Sequence, residues 1–193
     1  VDPIIPSLEN RPMTATSCLA AALLLPLSAH AADFTVTSTD MAEGKPLSTQ
    51  QVFKGFGCDG GNRSPHLSWK GAPAGTKGFA VTAYDPDAPT GSGWWHWTVV
   101  NLPADTTALA TGAGSAGGKL PAGAVQGRTD FGQAGFGGAC PPAGDKPHRY
   151  QFVVWALKTD TLPIDAQSSG ALVGFMLNSN VLAKAQLTAV YSR

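Results

Sequence analysis

The sequence predicts a mainly β protein, a sandwich of strands with a single helix near the C-terminus. Several short apolar or β-branched runs are bounded by Gly, Pro and Asn, and only one late segment has helical spacing. The 23 Gly and 15 Pro residues also indicate many turns. A chain of 193 residues without an internal repeat or a long linker suits one domain. Many strands with one late helix are typical of a sandwich.

Five segments carry strand signals. Residues 94–102 (WWHWTVVNL) and 150–157 (YQFVVWAL) are apolar on both alternating faces, which predicts strands in the buried centre of a sandwich. Shorter strands are predicted at residues 34–38, 79–84 and 187–191.

The best helix candidate is residues 171–185 (ALVGFMLNSNVLAKA). Its apolar residues have roughly helical spacing, although Gly174 and two Asn residues weaken the pattern. Residues 111–127 are rich in Gly and Ala, and they are predicted to form a long loop with at most one helical turn. The residues with this helical spacing are Leu172, Phe175, Met176, Leu182 and Ala183.

A short apolar segment, residues 18–27 (CLAAALLLPL), lies near the N-terminus. Residues 29–31 (AHA) follow it with the small-x-small spacing that signal peptidase requires, so cleavage is expected before Ala32. The run is shorter than the ~20 apolar residues of a membrane span. The sequence therefore predicts a signal peptide over residues 1–31, with a buried helix as the alternative.

The expected mature domain is residues 32–193, exported to the periplasm or secreted. Met13 is a candidate for the natural start, in which case residues 1–12 are upstream translation or an added leader. Cys58 and Cys140 are the cysteines of the mature domain. In an oxidising compartment they are candidates for a disulfide, and two free buried thiols are the alternative.

The charge balance argues against a nucleic-acid partner. Thirteen basic side chains match thirteen acidic ones, and charged residues make up only 13% of the chain. No run of Lys or Arg forms a stripe that could follow a phosphate backbone.

Residues 85–89 (DPDAP) follow the predicted strand 79–84. The two prolines fix φ and lack N–H donors, so the chain must leave the sheet in a rigid turn that holds Asp85 and Asp87. These carboxylates can accept hydrogen bonds from neighbouring groups or from a ligand. Turn formation alone is the alternative explanation.

His96 lies within an apolar strand. Strict alternation places it on the face of Trp94 and Thr98, with Trp95 and Trp97 opposite. A buried imidazole needs a partner, and a carboxylate such as Asp85 would fix its tautomer and raise its pKa. On these residues alone, a histidine satisfied within the core is the default interpretation, and the pairing with Asp85 is the competing one.

A third group of residues lies between these strands and the C-terminal half. The glycines of residues 137–142 (GGACPP) allow backbone N–H groups to approach an anion. His148 and Tyr150 are two residues apart and would project to one side of a strand. Arg149 would face the other side, bonded to loop carbonyls or to a carboxylate. A tight loop with Tyr150 as ordinary packing is the alternative.

In this order, residues 85–89, 94–101, 138–142 and 148–150 resemble the phosphatidylethanolamine-binding protein family, and its bacterial Raf-kinase-inhibitor-like branch in particular. The resemblance covers residues 34–193, with residues 61–65 (GNRSP) and 182–185 (LAKA) as supporting matches. It implies a two-sheet antiparallel sandwich with a small pocket at one end. In the family this pocket holds phosphate, acetate or a phosphoethanolamine head group.

The resemblance also implies a role for each residue of the pocket. Asp85 and His96 would form its polar floor, and Pro89 would form a wall. The backbone of Ala139, Cys140 and Pro141 would offer donors, and His148 and the Tyr150 hydroxyl would close the other side. Asp87 and Arg149 would be structural.

The function expected from these residues is non-catalytic binding of a small anionic ligand, without a cofactor. An inhibitor or regulator that binds another protein is an alternative, and the partner and a homodimer are left open. A hydrolase that uses His96 and Cys140 is a weaker alternative, because Cys140 precedes two prolines and does not open a helix. The His residues are too scattered for a metal motif.

Overall fold

The computed structural model describes Val1 and residues 33–193. Except for Val1, the predicted signal peptide lies outside the described residues, so its start and its cleavage site stay predictions. Among the described residues, no helix is long and apolar enough to span a membrane.

The described chain is mainly β, as predicted. In chain order its elements are β1 (Thr35–Thr37), β2 (Lys54–Gly55), β3 (Cys58–Asp59), β4 (Leu67–Lys70), β5 (Gly78–Asp85), β6 (Trp94–Pro103), β7 (Ala108–Leu109), β8 (Val125–Gln126), β9 (His148–Leu157), α1 (Gly170–Asn180) and β10 (Val181–Tyr191). A 3₁₀ turn, Thr49–Gln51, precedes β2.

The strands form an antiparallel sandwich. The larger sheet has the order β10-β9-β5-β6-β8 and the smaller has the order β1-β4-β7, while β2 and β3 form a separate hairpin. Leu67 and Trp69 of the smaller sheet share a core with Phe79, Val81 and Val99 of the larger one. The central strands β5, β6 and β9 are largely buried, as their apolar patterns predict.

The opposite face of the larger sheet is covered by α1. Ser169 caps this helix, because its Oγ accepts a hydrogen bond from the N–H of Leu172 at 3.2 Å. Val173 and Leu177 are fully buried against the second core cluster, which includes Val100 and Trp155.

The predicted helix was wrong in its length. Residues 181–185 belong to β10, which pairs with β9, so α1 ends at Asn180. Leu172 and Phe175 are 45% and 68% exposed, and Leu182 and Ala183 lie in the strand. The helix is apolar on several sides, so its spacing did not define the face that packs on the sheet.

Two other predicted boundaries also differ from the structure. The predicted loop 111–127 ends in β8, which pairs with β6 through Val99 and Gln126. The last strand begins at Val181 instead of residue 187. In both places, strand pairing with a segment distant in the sequence determines the local structure. The residue pattern within the segment does not predict such pairing.

Candidate functional site

The turn after β5 carries two carboxylates with different partners. Asp85 Oδ1 accepts the N–H of Asp87 at 2.8 Å, which closes the turn. Asp87 forms a bidentate pair with Arg149, with Nε to Oδ2 at 2.8 Å and Nη2 to Oδ1 at 2.9 Å. The Arg149 hydrogen bond lowers the pKa of Asp87 to about 2. Asp87 therefore fastens the turn to the start of β9.

The partner of Asp85 is His148, and the predicted pairing of Asp85 with His96 was wrong. Asp85 Oδ2 accepts a hydrogen bond from His148 Nδ1 at 2.8 Å, and both side chains are buried. The other nitrogen of the ring, His148 Nε2, lies 3.4 Å from Asp145 Oδ2. The imidazole of His148 is therefore held between a buried carboxylate and a more exposed one.

His96 is held by backbone carbonyls. Its Nδ1 lies 2.8 Å from the oxygen of Gly137 and 3.1 Å from that of Gly138. Carbonyl oxygens only accept, so Nδ1 carries the proton and donates. Burial lowers the pKa of His96, against the raising effects of the Gly137 carbonyl and of the Asp85 charge. The expectation of a raised pKa was therefore wrong.

A β-bulge at His96 sets the direction of the ring. Tyr84 pairs with Trp95 and Ala83 pairs with Trp97, so His96 is the extra residue on β6. Trp95 packs against Gly170 of α1, whereas Trp97 lies in the core between the sheets. The predicted placement of the two tryptophans on one face was wrong, because the bulge interrupts the alternation.

The loop 137–142 does not offer the predicted row of backbone donors. The N–H of Gly137 bonds to the oxygen of His96, and the N–H of Ala139 bonds to the oxygen of Gln51. Ala139 is buried and does not line the pocket. Pro141 has no N–H, so only the N–H of Cys140 in the stretch 139–141 could serve a ligand.

The predicted disulfide between Cys58 and Cys140 is present in the structure. It ties the β2–β3 hairpin to the loop 137–142. Phe56 at the hairpin tip is 69% exposed and lies 5.7 Å, between ring centroids, from Phe131. The disulfide therefore holds an aromatic side chain at the mouth of the site.

These elements enclose a cavity of about 190 Å³. Seven of the eight residues predicted to contact a ligand line it: Asp85, Pro89, His96, Cys140, Pro141, His148 and Tyr150. Three aromatic residues that sequence reasoning missed complete the wall: Phe56, Trp94 and Phe131. Phe56 and Phe131 lie in loops without periodicity, and Trp94 drew attention only as a strand residue.

Two donors of the pocket are buried without a partner among the described residues. They are the Tyr150 hydroxyl and the Trp94 Nε1–H. Burial, with a smaller effect of the Asp85 charge, raises the pKa of Tyr150 above its ordinary value, so the hydroxyl keeps its proton. A buried donor without an acceptor costs about 1–3 kcal/mol, and a ligand in the cavity can supply the acceptor.

Asn62 is a positioning residue that the sequence indicated only as part of the GNRSP match. Its Oδ1 accepts the N–H of Gly138 at 2.7 Å, and its Nδ2 donates to the oxygen of Phe136 at 3.3 Å. Its φ is 48°, in the left-handed region that Asn tolerates better than most residues. Asn62 therefore fixes the loop whose carbonyls hold His96.

Replacing Asn62 with alanine is expected to lower the free energy of unfolding by about 2 kcal/mol, because two hydrogen bonds are lost and the positive φ becomes strained. Asn62→Gly is the matched control, since it loses the same bonds without the strain and should be less destabilised. Chemical denaturation of the two variants measures both effects. Equal losses would show that the backbone conformation at this position contributes little.

No group of three His, Cys, Asp or Glu side chains that could hold a metal occurs in the described part of the chain. The described residues instead form a small cavity at the ends of β5, β6 and β9 of the antiparallel sandwich. The sequence matches the model of the phosphatidylethanolamine-binding protein family over residues 37–192, and the chain belongs to this family.

Bacterial relatives match most of the chain. YbcL of Escherichia coli strain K12 is 67% identical over 165 residues, which cover 85% of this chain and 90% of that protein. YbhB of the same strain is 54% identical over 155 residues, covering 80% and 98%. The crystal structure of YbcL has a TM-score of 0.82 at 66% identity, covering 84% of this chain and 99% of that chain. The structure of CT736 from Chlamydia trachomatis has a TM-score of 0.69 at 28% identity, covering 83% and 97%.

Proposed function

We propose that the protein binds a small oxyanion, inorganic phosphate or a phosphomonoester head group, in the pocket between β5, β6 and β9. The observation that carries this proposal is the Tyr150 hydroxyl, which is buried in the pocket wall and finds no acceptor in the described part of the chain. An oxygen of the ligand would supply that acceptor. The Trp94 Nε1–H offers a second donor on the same cavity.

The size of the cavity supports a small ligand. About 190 Å³ is several times the ~30 Å³ that one water molecule occupies in the liquid, and it is less than the 300 Å³ or more of most drug-sized pockets. A phosphate or a phosphoethanolamine group fits such a volume. Acyl chains would lie outside, against the aromatic residues Phe56 and Phe131 at the mouth.

The proposed role is binding without catalysis. The pocket sulfur that could act as a nucleophile, that of Cys140, is bonded to Cys58 and cannot become a thiolate while the disulfide persists. The Nδ1 of His96 is occupied by backbone carbonyls instead of by a carboxylate. His96 therefore lacks the carboxylate that orients the base of a nucleophile–base–acid triad. The pocket histidine that has one, His148, shares the described lining with no Ser hydroxyl and no free thiol. The same disulfide supports export to an oxidising compartment, in line with the predicted signal peptide.

Tyr150→Phe is expected to weaken phosphate binding by about 10- to 100-fold, because the ligand loses a donor to a charged group. The same change should leave the free protein as stable or slightly more stable, since it removes an unsatisfied buried hydroxyl. Calorimetric titration with phosphate and with O-phosphoethanolamine measures the affinity, and thermal unfolding measures the stability.

Tyr84→Phe is the matched control. Its hydroxyl donates to the oxygen of Ser92 at 2.8 Å, and it does not line the pocket. This variant should keep the affinity of the unmodified protein. Saturable binding that Tyr150→Phe leaves unchanged would contradict the proposed site, and absence of binding to the unmodified protein would contradict the proposed function.

A further inference from the structure

The pocket has no fixed positive charge that could neutralise an anion. Among its described lining residues there is no Lys and no Arg, and Asp85 contributes a carboxylate. His148 lies between Asp85 and Asp145, so whatever charge the ring carries is offset by those two groups. An oxyanion that enters this cavity must therefore bring its counter-charge with it or acquire it there.

The positive charge that balances the oxyanion can be placed on His96. Its Nδ1–H is committed to the carbonyl oxygens of Gly137 and Gly138, which leaves Nε2 with a lone pair in the neutral ring. A lone pair that meets an anionic oxygen is repulsive. Protonation of Nε2 replaces this repulsion with a charge-assisted hydrogen bond and adds one positive charge to the ring.

We propose that the oxyanion and one proton enter the pocket together, and that the proton resides on Nε2 of His96 in the complex. This inference rests on the proposed function and adds to it a defined chemical form of the bound state. The free pocket holds neutral His96, and the occupied pocket holds an imidazolium against the anion. Binding then weakens as the pH rises, although the ligand itself keeps its charge.

The groups that face His96 are consistent with this coupling. Asp85 of β5 and Asp130 of the loop after β8 both favour its protonated form, whereas burial opposes it and keeps the ring neutral in the free protein. From β9, Tyr150 lies at 5.1 Å between ring centroids, and His148 lines the same cavity. A bound anion adds a further negative charge close to the ring, which raises the pKa of His96 in the complex.

Because the pKa of His96 is lowered in the free protein and raised in the complex, one proton is taken up at pH values between the two. In that range the Kd rises tenfold for each pH unit. Methyl phosphate is a suitable probe, since a phosphomonoester has its second pKa near 6 and is a dianion throughout a window from about pH 7 to pH 8.5. Calorimetry on the full chain should show the Kd weakening about tenfold per pH unit within this window.

The location of the proton is read from the imidazole Cε1–H resonances, titrated from about pH 5 to pH 9 with and without methyl phosphate. The resonance absent in His96→Gln identifies the ring, and His66→Gln serves as a control outside the pocket. Because the tenfold slope persists only below the pKa of the complex, we expect the pKa of His96 in the complex to lie near or above the upper end of the calorimetric window. In His96→Gln the pH dependence should flatten, because Gln cannot take up the proton.

Three outcomes are distinguishable. A tenfold slope together with a raised pKa of His96 supports the coupling. Saturable binding that is independent of pH, or a His96 ring that stays neutral in the complex, overturns the coupling and leaves the proposed function intact. The absence of binding at every pH overturns the proposed function and the coupling with it. If His96→Gln fails to fold, the His96 resonance is assigned by elimination, from the resonances lost in His30→Gln, His66→Gln and His148→Gln.

Discussion

Replacing Asp85 with alanine is expected to lower the free energy of unfolding by about 3 kcal/mol and to abolish phosphate binding. The carboxylate is buried, and it accepts hydrogen bonds from His148 Nδ1 and from the N–H of Asp87, each at 2.8 Å. Its removal leaves a buried imidazole nitrogen without its partner and opens the turn that carries Pro89. Urea unfolding and calorimetric titration of the variant measure the two effects.

A double-mutant cycle with His148→Ala separates the pair from the other effects of the substitution. Because Asp85 and His148 are in direct contact, their losses should not add, and we expect a coupling energy of about 2 kcal/mol. Asp145→Ala is the control, since its carboxylate is 42% exposed and lies 3.4 Å from His148. It should cost no more than about 0.5 kcal/mol. Additive losses for Asp85→Ala and His148→Ala would contradict the buried pair.

The sequence was informative where a signal is local and strong. Long apolar runs predicted the central strands β6 and β9, and a late helical segment predicted α1. The pocket residues could be grouped because they lie at the ends of β5, β6 and β9, which are neighbours in one sheet. In an antiparallel sheet the end of one strand lies beside the start of the next, so Asp85, His96 and His148 come together.

The sequence was uninformative where a hydrogen-bond partner lies in a distant segment that only the tertiary structure brings close. The choice of His148 over His96 as the partner of Asp85 depends on the register of β5 against its two neighbours. Because of the bulge at His96, Trp97 lies on the face of the sheet opposite to the one expected. The residue pattern of β6 does not predict this bulge. The N–H of Ala139 looked free because its acceptor, the oxygen of Gln51, lies in a distant segment.

The helix shows the same limit for packing. Its pattern contains apolar residues on several sides, so the choice of Val173 and Leu177 as the buried pair depends on where Trp95 lies. A Cβ on Gly170 would lie 2.2 Å from the Trp95 ring, and one on Gly174 would lie 3.5 Å from it. These glycines allow the helix to approach the sheet closely, a requirement that spacing within the helix cannot reveal.

Removal of the disulfide, by Cys58→Ala together with Cys140→Ala, is expected to lower the free energy of unfolding by about 4 kcal/mol. The two cysteines are 82 residues apart in the sequence, so the bond restricts a long loop of the unfolded chain. Chain entropy for a loop of this size is worth about 4 kcal/mol, which native-state strain or residual structure can reduce. The double variant and the reference protein should both also carry Cys18→Ser, so that the thiol of Cys18 cannot exchange with the disulfide.

The same variant should bind phosphate several-fold more weakly, because the bond joins two walls of the pocket. Without it, the hairpin tip is held by the aromatic contacts of Phe56 with Phe53 and Phe131, at 5.6 and 5.7 Å between centroids, and by Arg193, which donates to the oxygens of Phe56 and Gly57. Cys140 stays held through Ala139, whose N–H and oxygen bond to residues 51 and 53. The polar floor should therefore persist while the mouth loosens, which increases the dissociation rate of the ligand more than it reduces the association rate. An unchanged dissociation rate in the destabilised variant would show that the disulfide stabilises the domain without shaping its pocket.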